Sequence, residues 1–272
     1  MKKMVFCLFS VATCFGQWDG NYYADHSKMQ FDTAVQVFRM LPIESNSRIL
    51  DIGCGDGRIT KYIADLVSEG SVIGLDKSAS MIKKAEKYAG GNLAFLVADV
   101  TQIPLSSQFD YIVSFNCLQW VKEIDLALES INQLLLPTGK ALFLLAPKEE
   151  KYLLQHIIDE VAHKDKWVGY FSSSSVFGKL YSKDEWVELV KKASMNVEEV
   201  KTIPIRFDYS DKQKFADWIA GWVPCGTMLK EQKKEFVDEI VQEYLKIVPC
   251  ENNGIVHHLM DEIVILCGKN ES

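Results

Sequence analysis

Short apolar runs alternate with longer amphipathic stretches through the first half of the chain. Residues 47–52 (SRILDI) and 71–76 (SVIGLD) are brief apolar runs with polar borders, the pattern of strands buried on both faces of a parallel sheet. Residues 93–100 (LAFLVADV), 109–116 (FDYIVSFN) and 140–147 (KALFLLAP) repeat it. Between them, Ile59, Ile63, Leu66 and Val67 recur at helical spacing, as do Met81, Ile82 and Ala85 behind a capping Ser78. Residues 124–136 read as a further helix, and the tripeptide 137–139 (PTG) as the turn into the fifth strand. Strands joined by helices in this way predict a parallel sheet with right-handed crossovers.

Beyond residue 147 the rhythm loosens. Residues 149–164 read as a helix, 169–178 as a polar loop, and 182–195 as a helix whose Ser182 and Glu185 form a capping box. Residues 196–209 alternate like a strand, 211–248 are largely helical, and 259–269 close the chain as a strand. The expected fold is α/β: a doubly wound, seven-stranded, mostly parallel sheet with a helical insertion before the last strand.

Composition excludes several classes. The chain has 272 residues, 48% hydrophobic and 25% charged, which is ordinary for a globular domain. A formal charge of −7 argues against a nucleic-acid partner, because phosphate binding needs clustered cations. No apolar run reaches the roughly eighteen residues that a membrane span requires. Seven cysteines without a CxxC pair, and no His/Cys set at zinc spacing, predict free thiols and no metal. His257 and His258 are neighbours on a strand and should face opposite ways, one to the core and one to the surface. The opening segment, with two lysines followed by an uncharged stretch to Trp18, resembles a secretory signal. Residues 1–17 are therefore read as an extension to the domain, with export as the alternative to a cytoplasmic protein.

The candidate chemistry sits at residues 48–60 (RILDIGCGDGRIT). Gly53, Gly55 and Gly57 follow a buried strand, where a ligand can approach backbone free of side chains. The spacing GxGxG is not the dinucleotide fingerprint GxGxxG, and no lysine–serine pair follows to make a P-loop. The acids narrow the choice. Asp51, at the mouth of the turn, would repel a pyrophosphate and attract an ammonium group. Asp76 ends the second strand, where a carboxylate can accept from both ribose hydroxyls. Asp99 ends the third, within reach of an adenine amino group. A ligand with an ammonium, a ribose and an adenine but no phosphate is S-adenosylmethionine.

The motifs LDIGCGDG, FLVADV, FDYIVSFNCLQWV and LLLPTGKALF, in order and at normal spacing, resemble those of class I S-adenosylmethionine-dependent methyltransferases. SFNCLQWV in particular is similar to the N-x-x-x-Q-W stretch of the trans-aconitate, malonyl-carrier-protein and juvenile-hormone-acid enzymes, which methylate carboxylates. The flanks, 18–38 and the insertion from Phe215 onward, resemble the same group. The resemblance implies one domain over 18–269, with a cofactor half at 18–147 and a substrate half at 148–269. It implies methyl ester formation on a small acid, free or carrier-bound, by a monomer. Methylation of an amine, phenol or quinone, or binding of the cofactor without catalysis, are the alternatives.

A carboxylate is already ionised at neutral pH, so no catalytic base is expected. Cys54, Lys77, Val100, Asn116, Leu118 and Gln30 are expected to border the cofactor beside the glycines and acids. Gln119 and Trp120 are expected at the transfer site. Arg206 is the expected cation for the anionic substrate, with Tyr22 and Tyr23 covering the pocket. Trp218 and Trp222, four apart on a helix, are expected to share a face over it.

Overall fold

In the computed structural model, which describes residues 28–148, 153–171, 175–177, 179–225 and 228–270, the first five strands run parallel. Helix α1 (Lys28–Phe38) leads into β1 (Arg48–Ile52), α2 (Arg58–Leu66), β2 (Ser71–Asp76), α3 (Ala79–Ala85) and β3 (Leu93–Val97). Then come β4 (Phe109–Phe115), α4 (Ile124–Leu134), β5 (Leu135–Leu145), α5 (Leu153–Ala162), α6 (Lys183–Lys192), β6 (Met195–Tyr209), α7 (Lys212–Trp222), α8 (Lys230–Ile247) and β7 (Val256–Lys269). The sheet order is β3-β2-β1-β4-β5-β7-β6, with β7 antiparallel to both neighbours. This is the doubly wound, mostly parallel, seven-stranded sheet that the alternation predicts, with α7 and α8 inserted before the last strand.

Burial on both sides explains the apolar runs. Ile49 and Leu50, neighbours on β1, are fully buried in different clusters. Ile49 packs with Val37 and Phe38 of α1 and Ile63 of α2, whereas Leu50 packs with Leu128 and Ile131 of α4 and Trp186 of α6. Two boundaries differ from the sequence pattern. The proline–glycine segment interrupts β5 rather than preceding it: Phe109 pairs with Leu135 and Tyr111 with Lys140, so residues 136–139 bulge out between two stretches of one strand. β3 stops at Val97, so Asp99 lies past the strand and accepts from the Thr101 amide at 3.0 Å.

The last two strands position the site. β7 pairs with β5 only from Ile263 onward, yet pairs with β6 back to Val256. A two-stranded ribbon therefore outgrows the sheet at the edge where the parallel strands end. Helices α5, α7 and α8 pack on that ribbon through a core of their own, including Ile158, Phe207, Phe215, Trp218, Phe236 and Tyr244. No helix among the described residues is long and apolar enough to cross a membrane.

Helix α6 carries the expected capping box: the Ser182 hydroxyl accepts from the Glu185 amide at 3.2 Å, and the Glu185 carboxylate accepts from the Ser182 amide at 2.8 Å. Replacing Ser182 with alanine should cost about 1 kcal/mol, read as a lower urea midpoint with an unchanged m-value.

Candidate functional site

At the carboxyl edge of the parallel strands the chain encloses a cavity of about 600 Å³, within the range of small-molecule sites. It lies beyond the ends of the adjacent strands β1 and β4, where the strand order reverses, the topological switch point. Gly53, Gly55, Asp76, Lys77, Asp99 and Val100 line one end. Phe207, Trp218, Trp222, His258, Met260 and Glu262 line the other, and Asn116, Gln119 and Trp120 also line the cavity.

The turn after β1 is stitched to β2. The amides of Gly53 and Cys54 both donate to the Leu75 carbonyl, at 2.7 and 3.0 Å. Gly53 has φ +75°, and a β-carbon there would overlap the Cys117 side chain. Asp76 holds the next part of the turn: it accepts from the Gly55 amide at 3.0 Å and the Ser78 amide at 2.8 Å, one oxygen for each. Burial raises its pKa, against those two hydrogen bonds. Each carboxylate oxygen keeps a lone pair for a further donor. At Asp99, burial is outweighed by hydrogen bonds from Lys77 and Thr101, which hold the carboxyl below its ordinary range. Lys77 pairs with it at 2.7 Å.

Other expected site residues lie elsewhere. Asp51 does not line the cavity: it is 1% exposed beneath the turn and accepts from the Thr60 hydroxyl at 2.7 Å. Burial, opposed by that hydrogen bond and aided by the charge of Asp76, pushes its pKa up to about 7. Cys54 and Gly57 also miss the main cavity. The Cys54 thiol is buried toward Gly74, and Gly57 caps α2 with φ +81°, where a β-carbon would crowd Ala85 and Phe95. Leu118 is fully buried in the core over β4.

Arg206 is not in the pocket. It lies on the exposed face of β6, its Nε donating to Asp208 at 2.9 Å, because alternation turns Phe207 inward and its neighbours outward. Tyr22 and Tyr23 fall outside the described residues, whereas Gln30 of α1 does line the cavity.

Sequence reasoning missed two titratable residues here. His258, Met260 and Glu262 alternate along β7 and all line the cavity. Glu262 is 4% exposed; Asn116 hydrogen-bonds to it, and its Oε2 has no partner. Burial, opposed by that hydrogen bond, raises its pKa to about 7. His258 is 2% exposed, and burial lowers its pKa to about 4. Period-two alternation marks these three as one face, but nothing in the pattern says that the face meets a cavity rather than a packed core. Asn116 supplies a second clue. It is a non-glycine residue at φ +53°, the kind of backbone strain that gathers at functional sites.

A model of the methyltransferase domain family matches residues 49–139, the segment from β1 to the β5 bulge. Over 88% of this chain and 90% of its relative, it is 28% identical to protein 235L of Invertebrate iridescent virus 6, which is named as a methyltransferase. The malonyl-[acyl-carrier protein] O-methyltransferase of Enterobacter lignolyticus is 32% identical over 58% of this chain and 63% of its own length. The juvenile hormone acid O-methyltransferase of Bombyx mori is 24% identical over 76% and 78%. Among solved structures, phosphoethanolamine N-methyltransferase 2 of Haemonchus contortus with bound S-adenosyl-L-methionine matches at a TM-score of 0.58 and 16% identity, covering 93% of this chain and 57% of that one. This chain is a class I S-adenosylmethionine-dependent methyltransferase.

The cavity of the methyltransferase suits that cofactor. Its rim offers backbone without side chains at Gly53 and Gly55, spare carboxylate lone pairs at Asp76, and an Asn116 Oδ1 that is buried with no partner. No group of three or more histidine, cysteine or acidic side chains among the described residues could hold a metal. Asp76→Ala would strip acceptors from the amides of Gly55 and Ser78 as well as from a bound nucleoside. Affinity for S-adenosylmethionine, measured by calorimetry, should fall by about 1–3 kcal/mol, on the order of ten- to a hundredfold.

Proposed function

We propose that the methyltransferase esterifies the carboxylate of an apolar small molecule. The observation that carries this reading is the far wall of the cavity. It is lined by aromatic rings, and the indole N–H groups of Trp218 and Trp222 are buried without acceptors among the described residues. Neutral donors among rings suit polar substituents on an apolar body, and two of the related enzymes are named for acids or acyl carriers. Arg206, turned outward, takes no part in the site.

In this reading Asp76 accepts from the ribose hydroxyls and Asp99 from the adenine edge. Gly53 and Gly55 admit the methionine portion, which Asn116 borders, and Gln119 and Trp120 form the floor between donor and acceptor. The bound cofactor supplies a methyl group made electrophilic by its sulfonium. An ionised carboxylate needs no base, so the protein contributes alignment and exclusion of water. The proposed compartment is the cytoplasm, where the cofactor is made and the free Cys54 stays reduced.

Glu262 favours a second reading, in which a neutral phenol, alcohol or amine gives its proton to this side chain. The two readings predict opposite pH limbs. Burial and Asn116 are what set the acidity of Glu262, and the other titratable residues lining the cavity are Asp76, Lys77, Asp99, Cys117, Lys122, Glu123 and His258. Below about pH 7 it is a neutral acid and above that a carboxylate. With an acidic acceptor, kcat/KM should fall as pH rises through 7, because two anions then share the site, and Glu262→Gln should keep activity and flatten the profile. With a neutral nucleophile, kcat/KM should rise through the same pH, and Glu262→Gln should be nearly inactive. A screen of apolar acids and acyl carriers with labelled cofactor decides the product: base-labile methyl ester supports the acid reading, and base-stable product overturns it. Cofactor binding with no turnover on any acceptor would leave a binding protein.

A further inference from the structure

His258 lies deep in the acceptor end and has a lone pair left over. The Tyr244 hydroxyl stands 3.0 Å from the His257 carbonyl and 3.2 Å from Nδ1 of His258. A carbonyl can only accept, so it takes the single hydroxyl hydrogen. The tyrosine oxygen must then accept from Nδ1–H. A neutral imidazole has one N–H, so Nε2 is an acceptor, and it has no partner among the described residues. Burial keeps the ring neutral down to about pH 4, so the acceptor stays bare throughout the neutral range. A buried acceptor without a donor carries a standing desolvation cost that a ligand donor would relieve.

The surroundings say what kind of ligand reaches it. His258 stacks on Phe207 at 6.2 Å between ring centroids, and Trp218 lies at 5.2 Å. From Trp218 a wall of rings continues to Trp222 at 5.2 Å, from Trp222 to Phe177 at 6.1 Å, and from Phe177 to Trp120 at 6.0 Å. Trp120 directly follows Gln119 at the proposed floor between donor and acceptor. On the strand itself, Glu262 beside Asn116 marks the transfer end. His258 is four residues away on the same face, which at strand spacing is about 13 Å.

We propose that His258 is a second recognition point for the acceptor, taking a hydroxyl at the far end of an elongated apolar acid whose carboxylate lies at the transfer end. The proposal rests on the acid reading for the reacting group, and on Tyr244, Nε2 and the ring wall for the rest. A site built around a buried acceptor discriminates strongly against a ligand that lacks the donor, because binding it would seal the lone pair in hydrocarbon.

The test compares straight-chain acids of graded length with their terminal hydroxy counterparts. In the wild-type enzyme, kcat/KM for the hydroxy acid of matching length should exceed that of its unsubstituted partner by roughly tenfold or more. In His258→Phe the preference for the hydroxy acid over its unsubstituted partner should vanish. Equal handling of each pair by the wild type, or a preference that survives in His258→Phe, overturns the proposal. If His258→Phe does not fold, the wild-type comparison alone decides. Calorimetry of the same pairs, with S-adenosylhomocysteine as the companion ligand, separates the two layers. A hydroxyl preference in binding without any methyl ester sinks the acid reading and leaves the subsite standing. Equal binding sinks the subsite whatever the reaction.

Discussion

Gly53 passes so near Cys117 that any side chain on it would overlap the thiol, and the rest of the rim depends on that approach. It draws the turn after β1 against the segment after the neighbouring β4, where the strand order of the sheet reverses. With the turn held there, its amides reach the Leu75 carbonyl and Asp76 reaches the Gly55 amide. The result is a stretch of bare backbone bounded by a carboxylate, fixed before any ligand arrives. Preorganisation of this kind lowers the cost of binding.

Much of this half was legible in the sequence, for a physical reason. Parallel strands buried on both faces leave unbroken apolar runs, and their ends mark the rim, so Asp76 and Asp99 could be placed from spacing alone. Asp51 shows the limit of the method. Spacing puts it at the same rim, but it sits below the turn, where the Thr60 hydroxyl donates to it. The same holds for Cys54 and Gly57, whose neighbours on the turn face the cavity while they face Gly74, Ala85 and Phe95.

The acceptor half was less legible because its environment is made by distant pieces. On β6, alternation alone decides between Arg206 and Phe207, and which face is inner depends on where α7 and α8 pack. Trp218 and Trp222 were placed together because helical spacing is a local property. His258 and Glu262 could not be: their face meets a cavity only because β7 runs past the end of β5. A charge-based search for an anion site finds Arg206, whereas the structure offers unpaired indole donors and a buried carboxyl.

The ribbon of β6 and β7 and its helices keep a hydrophobic cluster separate from those on the two faces of the sheet. The family model, by contrast, ends at residue 139, before that ribbon begins. In the proposed reading, donor and acceptor are thus held by different packing clusters that face one cavity. Substitutions that reshape the inner face of the ribbon can retune acceptor choice while the nucleoside cradle keeps every one of its partners. That separation gives the architecture room to diversify in chemistry without rebuilding its foundation.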